Sequence, residues 1–278
     1  METVQNIAMF KYIITIHNSE NHLREVLNGV KSVKNAFSKV YCVLDGCTDG
    51  SEAICDEFPT FKKIVTPNVR ETKAITTALA QIPQNVGDYN VILQDDVVLT
   101  DKQFEDKIIN AYRWNPKIGV LGMRHGCNFK DDVLVSGEHS SEQDLIQNEH
   151  QPEIPKVPQL EEGYITERQV VYKSPICISG DVAMKLGGYD QRFEPIAHDD
   201  TEYCIRAIKE GYKNYVLGIQ LLQPPKWGGT RRFTKVHEDN LYFHKEHMNL
   251  IRNLYVKELS DMVGMKPSLD KTQLWKTF

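Results

Sequence analysis

No stretch of this 278-residue sequence approaches the roughly 18 apolar residues that a membrane-crossing helix needs. Its beginning also lacks a basic segment followed by an apolar run and a cleavage site. Cysteines are few: Cys42, Cys47, Cys55, Cys127, Cys177 and Cys204 show neither paired metal-ligand spacing nor the density of a secreted disulfide framework. They read as reduced thiols, so the expected location is cytoplasmic, with a peripheral contact to a membrane surface still compatible. There is no basic excess either. A formal net charge of -5 argues against a general nucleic-acid binder. Internal repeats and low-complexity tracts are missing as well. What remains is ordinary globular material, 41% hydrophobic and 26% charged, enough for one large α/β domain or two small ones.

Against that background one stretch stands out, Asp88 to Thr100. Its short apolar run Val91, Ile92, Leu93 is rich in β-branched residues and bounded by polar ones, as in a strand buried on both faces. It ends in two adjacent carboxylates, Asp95 and Asp96. In an open α/β sheet, ligands collect at the carboxyl ends of parallel strands. Two hard oxygen donors at such a point suit Mg²⁺ or Mn²⁺, especially a cation shared with a phosphate. The same pair could also simply open a turn or cap the following helix.

Similar units precede it. Ala8 to Ile16 reads as a strand, His17-Asn18-Ser19-Glu20 as a turn, and Leu23, Val26, Leu27 and Val30 as the packed face of a helix. Val40 to Leu44 is a second strand, ending in the polar turn Asp45-Gly46-Cys47-Thr48-Asp49-Gly50-Ser51 and a helix through Cys55. Ile64 and Val65 form a short third strand, followed by a helix from Glu71 to Ala80. Successive βα units imply a mostly parallel sheet with helices on both faces. Beyond the acids come a helix at Phe104 to Arg113 and a strand at Ile118 to Gly122. From about Val135 to Arg168 the sequence is polar and acidic with little periodicity, the profile of a binding loop or lid. One strand is expected over Gln169 to Ile178, then a short helix over Gly180 to Leu186 and a helix over Asp199 to Lys209 started by an acid cap and closed by Gly211. Tyr215 to Leu217 reads as a last strand. The glycine-rich basic segment Pro224 to Arg232 precedes a long helix from about Glu238 to Leu259.

Polar turns thus fall at the ends of successive strands, and here the sequence resembles a family. It is similar to the family 2 glycosyltransferases of the glycosyltransferase-A fold. The first strand and turn resemble that family's strand followed by Tyr-Asn-Glu. Leu44-Asp45-Gly46-Cys47-Thr48-Asp49-Gly50 resembles Val-Asp-Asp-Gly-Ser-Thr-Asp-Gly, and the helix with Lys73 and Ala74 matches a Lys/Ala/Asn-containing helix. Leu93 to Leu99 resembles Leu-Asp-x-Asp-x-x-Leu. Gly187-Gly188-Tyr189-Asp190 through Arg206 resembles Gly-Gly-Phe-Asp followed by Glu-Asp-x-Asp-Leu-x-x-Arg. The motifs run from about Tyr12 to Tyr215 in the family's order. Leu44, Gln94 and Asp199 depart from it, standing where the family has Asp, Asp and Glu.

The resemblance implies a catalytic domain over residues 1–236, with a nucleotide half to about 100, an acceptor half to 236, and a helical extension over 237–278. It implies an inverting transfer of one sugar from a nucleotide-diphosphate donor, a UDP-sugar by preference, to a saccharide or lipid-linked acceptor. Thr15, His17, Asn18, Glu20, Asp45, Arg70, Lys73, Gln94, Asp95 and Arg231 would meet the nucleotide and diphosphate. Asp96 would hold Mn²⁺ or Mg²⁺, with His237 a further ligand and His244 and His247 alternatives. Asp200 would be the general base and Asp199 its partner, although both could merely favour the start of their helix. Arg232 could close over the donor with Arg231, and Trp227 could stack on a sugar or anchor its loop. A homodimer is compatible with this reading. Two other readings are a nucleotidyltransferase that makes sugar nucleotides and a non-catalytic carbohydrate-binding module. The first expects a glycine-rich loop with Arg and Lys directly after the first strand, which His17 to Glu20 lack.

Overall fold

A computed structural model describes residues 9–136, 141–148, 157–224, 227 and 235–274, except the side chains of 235–240. The chain begins with β1 (Phe10–Ile16), α1 (Leu23–Val33), β2 (Lys39–Asp45), α2 (Ser51–Asp56), β3 (Lys62–Thr66), α3 (Glu71–Gln81) and β4 (Tyr89–Gln94). Strands β1 to β4 pair in parallel, in the order β3, β2, β1, β4. Alternation in these strands builds two cores. Tyr12, Ile14, Cys42, Leu44, Val91 and Leu93 pack on the face covered by α1, while Ile13, Tyr41, Val43 and Ile92 pack on the face covered by α3. Because both faces are buried, the strands read as continuous apolar runs. Lys11 is an exception inside β1: it is buried, and its Nζ lies 2.6 Å from Asp88 Oδ2.

The second half continues with β5 (Val98–Leu99), α4 (Phe104–Trp114), β6 (Ile118–Gly122), β7 (His125–Phe129), β8 (Glu142–Asn148), β9 (Gln159–Leu160), β10 (Tyr164–Glu167), β11 (Val170–Val171) and β12 (Ile176–Ser179). After these come α5 (Gly180–Leu186), a 3₁₀ turn at Gln191–Phe193, α6 (Asp199–Lys209), β13 (Lys213–Leu217), β14 (Leu221–Leu222), α7 (Lys235–Leu254), α8 (Val256–Gly264) and β15 (Thr272–Gln273). The large sheet runs β15, β10, β13, β6, β12, β4, β1, β2, β3. Only β12 and β10 run against the other strands of this sheet, so the expected mostly parallel sheet with helices on both faces is present. A smaller sheet, β11, β7, β8, β9, packs beside it. No helix among the described residues is long and apolar enough to cross a membrane.

Three expectations are corrected. The stretch from Val135 to Arg168 is not structureless, because β8, β9 and β10 lie in it; residues 137–140 and 149–156 fall outside the described set. Polar side chains take several of the inward positions, with Gln147, Asn148 and Thr166 buried beside Ile146, Leu160 and Ile165, so the usual hydrophobic alternation is broken. The strand expected over Gln169 to Ile178 is two strands in different sheets, β11 and β12. Pro175 between them has no N–H to offer a ladder. The long C-terminal helix is also two, broken at Tyr255 with φ -128° and ψ 36°, where the phenol donates to Glu202 Oε1 at 2.5 Å. Helices α7 and α8 bury Met248, Ile251, Leu259 and Met262 in a third core with Phe129, Phe193 and Ile205.

Candidate active site

The carboxyl ends of β1, β2 and β4 come together, and side chains lace their turns. His17 N–H donates to Asp95 Oδ2 at 2.9 Å, and its Nδ1 lies 2.6 Å from the Asp45 carbonyl oxygen. Asn18 Oδ1 accepts from Thr48 N–H at 2.8 Å. Glu20 Oε2 accepts from Gly50 N–H at 2.7 Å, and Glu20 N–H donates to Asp49 Oδ2 at 3.0 Å. Asp45 is buried, its Oδ1 accepting from Thr66 Oγ1 at 2.7 Å and Val69 N–H at 2.6 Å. Asn18, Glu20 and Asp45 therefore hold the turns at these strand ends in place. Gly46 is needed for the same reason. With φ +59° its Cα lies so close to Asn68 that an added Cβ would meet that residue's backbone N at 2.6 Å.

Asp95 and Asp96 close β4. Burial pushes Asp95 up to about 6, aided by the charges of Asp96 and Glu71 and opposed by the His17 N–H. Asp96 is 5% exposed. Its Oδ2 accepts from Gln223 Nε2 at 3.1 Å, because β14 pairs with β5 and delivers the following residue. Its Oδ1 is buried and has no hydrogen-bond partner among the described residues. A buried carboxylate oxygen left bare is costly unless a ligand completes it, and a divalent cation fits that donor. No group of three or more His, Cys, Asp or Glu side chains among the described residues could hold a metal alone. Gln94 contributes backbone, its N–H donating to Ser174 Oγ at 2.7 Å.

A second group forms at the start of α6. Asp199 is buried and accepts from Thr72 Oγ1 of α3 at 3.0 Å and from Lys173 Nζ. Asp200 Oδ1 accepts from Thr201 N–H at 2.7 Å, and Oδ2 from Lys173 N–H at 3.3 Å. Burial first, and the Asp199 charge second, push Asp200 up to about 7, against the pull of Lys173. The expected acid cap is corrected here. The cap position is His198, with φ 61° and no side-chain cap, since Asp199 already lies inside the helix and turns to α3.

The remaining expected residues divide. Thr15 Oγ1 joins the two groups, lying 3.3 Å from the Leu93 carbonyl oxygen and 3.4 Å from Glu71 Oε1. Arg70 is exposed just before α3, and Lys73 projects to the surface while its N–H donates to Glu194 Oε1 at 3.1 Å. His244 and His247 turn to the segment before α6: His244 Nδ1 is 3.3 Å from His198 Nε2, and His247 Nδ1 is 2.9 Å from the Ala197 carbonyl oxygen. Trp227 stacks on His22, the residue before α1, with centroids 4.7 Å apart. Arg231 and Arg232, and the His237 side chain, lie outside the described residues. Lys173, Glu71, Glu194 and Gln223 touch the candidate residues although the sequence did not reveal them, and no local pattern marks them.

This sheet, with acids at its strand ends, defines a glycosyltransferase-A architecture. The family model described as Glycosyl transferase family 2 matches residues 12–180, and the chain belongs to that family. Similar solved structures include the mannosyltransferase PcManGT from Pyrobaculum calidifontis in complex with GDP-Man and Mn²⁺, with TM-score 0.54 and 14% identity over 92% of this chain and 72% of that one. S. aureus TarS residues 1-349 aligns with TM-score 0.53 and 14% identity over 90% and 71%. A longer TarS structure gives 0.51 and 16% over 76% of this chain and only 35% of its own. At these identities the likeness is one of fold. No curated protein matches the chain.

Proposed function

We propose that this glycosyltransferase moves one sugar from a nucleotide-diphosphate donor to a hydroxyl of a saccharide or lipid-linked acceptor, with inversion and with a divalent cation. The observation that supports it most is the bare, buried Oδ1 of Asp96 at the end of β4. Mg²⁺ and its relatives are often held by one or two carboxylates together with substrate phosphates, which suits a turn with so few protein ligands. Once bound, the cation would neutralise charge developing on the leaving diphosphate.

The turns after β1 and β2 would receive the nucleotide, with Thr15, His17, Asn18, Glu20, Asp45 and Arg70 around it, and Arg231 toward the diphosphate. Asp200 would take the acceptor's proton as the acceptor oxygen bonds to the anomeric carbon. The bond from that carbon to the phosphate oxygen breaks, and the nucleoside diphosphate leaves with the electron pair. A carboxyl pushed up to about 7 suits a base working near neutrality. In this reading residues 1–100 form the donor half, 101–236 the acceptor half and 237–278 an extension. The six free thiols support a reducing, cytoplasmic setting.

UDP is the first nucleotide to test, and GDP the second because the mannosyltransferase neighbour holds GDP-Man. Calorimetric titration of each with and without Mn²⁺ should show metal-enhanced binding that Asp96→Ala abolishes. Retention of that enhancement in the mutant would leave Asp96 a turn residue. Metal-dependent release of free nucleotide from a panel of sugar nucleotides then identifies the donor.

A further inference from the structure

Lys173 lies between the donor-side and acceptor-side groups. Its side chain is 11% exposed. Nζ bonds Asp199 Oδ2, lies 3.2 Å from Glu71 Oε2, and stands 5.5 Å from the centre of the Tyr189 ring. Glu71 in turn reaches Thr15 at the end of β1. Burial opposes the ammonium's charge, but Asp199, Glu71 and Asp200 outweigh it and hold Lys173 protonated well beyond its usual range. Taking Lys173 and Asp199 out of water, with Glu71 only partly covered, is a poor route to stability, since apolar replacements of such groups are often neutral or better. The cluster therefore calls for a functional reason.

We propose that Lys173 is the positioning residue of the base: it ties Asp199 to Glu71 and offsets the Asp199 charge beside Asp200, so that Asp200 is ionised and aimed when an acceptor arrives. This rests on reading Asp200 as the base. The groups facing Asp200 are Asp199 and Cys204 from α6, Lys173 from the β11–β12 link, Cys127 from β7 and Tyr189 from the segment after α5. Burial raises both thiols and the phenol far above their ordinary values, so they stay neutral at working pH. Asp199 and Lys173 are then the charges that govern Asp200, with Glu71 behind Lys173.

The first readout needs no donor. The stability difference between a protein and its Asp200→Asn partner, followed against pH, has its upper inflection where Asp200 titrates in the folded state. That inflection should fall near 7 in the native background, rise by about one unit or more in Lys173→Met and Lys173→Gln, and stay in place in Lys173→Arg. The acid limb of kcat/KM should move with it. An unmoved inflection in the neutral variants overturns the proposal. So does failure of both neutral variants to fold while Lys173→Arg folds, which would make Lys173 structural. If Asp200→Asn transfers sugar at the native rate, the base assignment fails instead, whatever the inflection does.

Discussion

Replacing Asp200 by Asn separates catalysis from folding with opposite signs. The substitution keeps the side chain's size and an oxygen able to accept the Thr201 N–H, now 2.7 Å from Oδ1. Asp200 is pushed up from 3.8 to about 7, and each unit is worth 1.36 kcal/mol. Ionising it in the folded protein therefore costs on the order of 4 kcal/mol more than in the unfolded chain. Because the folded value is the raised one, this cost is absent at low pH, grows between about 4 and 7, and is complete above that window. Asn is neutral throughout. The variant should thus melt on the order of 10 °C above the native protein at pH 8, at roughly 2–4 °C per kcal/mol for a large domain, with the gap closing toward pH 4. Transfer should meanwhile fall by about 10² to 10⁴, the usual worth of a positioned base, with nucleotide affinity unchanged. Native kcat/KM should decline as pH drops through about 7, where Asp200 takes up its proton. Melting curves at both pH values, transfer rates and nucleotide titration on one preparation decide the matter. A variant that melts below the native protein at pH 8, or that transfers within a few-fold of it, would refute the assignment.

Gly46→Ala should lower the melting temperature and weaken nucleotide binding together. A left-handed conformation costs a side chain about 1–2 kcal/mol, and the new Cβ would meet Asn68 Cβ at 2.4 Å, which displaces the turn that holds Asp45. Unchanged melting and affinity would mean that the turn adapts freely. Lys11→Met should cost about 3–5 kcal/mol in denaturant titration, because it strands the buried Asp88 carboxylate. Nucleotide affinity of the folded fraction should stay native, since this pair lies at the opposite end of β1 from the site; a loss of affinity without a loss of stability would contradict that.

Residues that could be read in advance are those whose role follows from local pattern. The runs around Ile13, Val43 and Ile92 announce strands buried on both faces, and a parallel sheet must gather their carboxyl ends, so the turns at His17, Asp45 and Asp95 had to converge. Helices α4 and α6 were visible for a related reason, since one apolar stripe repeats at helical spacing. Where the buried side chains are polar, as at Gln147 and Asn148 in β8, that pattern vanishes although the strand forms. Their burial is made tolerable by partners far along the chain, such as the Asn148 amide with the Ile219 carbonyl oxygen.

The sequence by itself determined the order of βα units and the acids at their ends, because both depend on residues within a few positions of one another. Tertiary structure alone decided that Asp96 would keep one oxygen without a partner among the described residues while Gln223 satisfies the other. It also decided that a lysine inside an unremarkable strand-like stretch would be enclosed by Asp199 and Glu71. The charge state of Asp200 follows from that enclosure. Desolvation and the neighbouring charges set it, and they exist only once β11, β12, α3 and α6 are packed together.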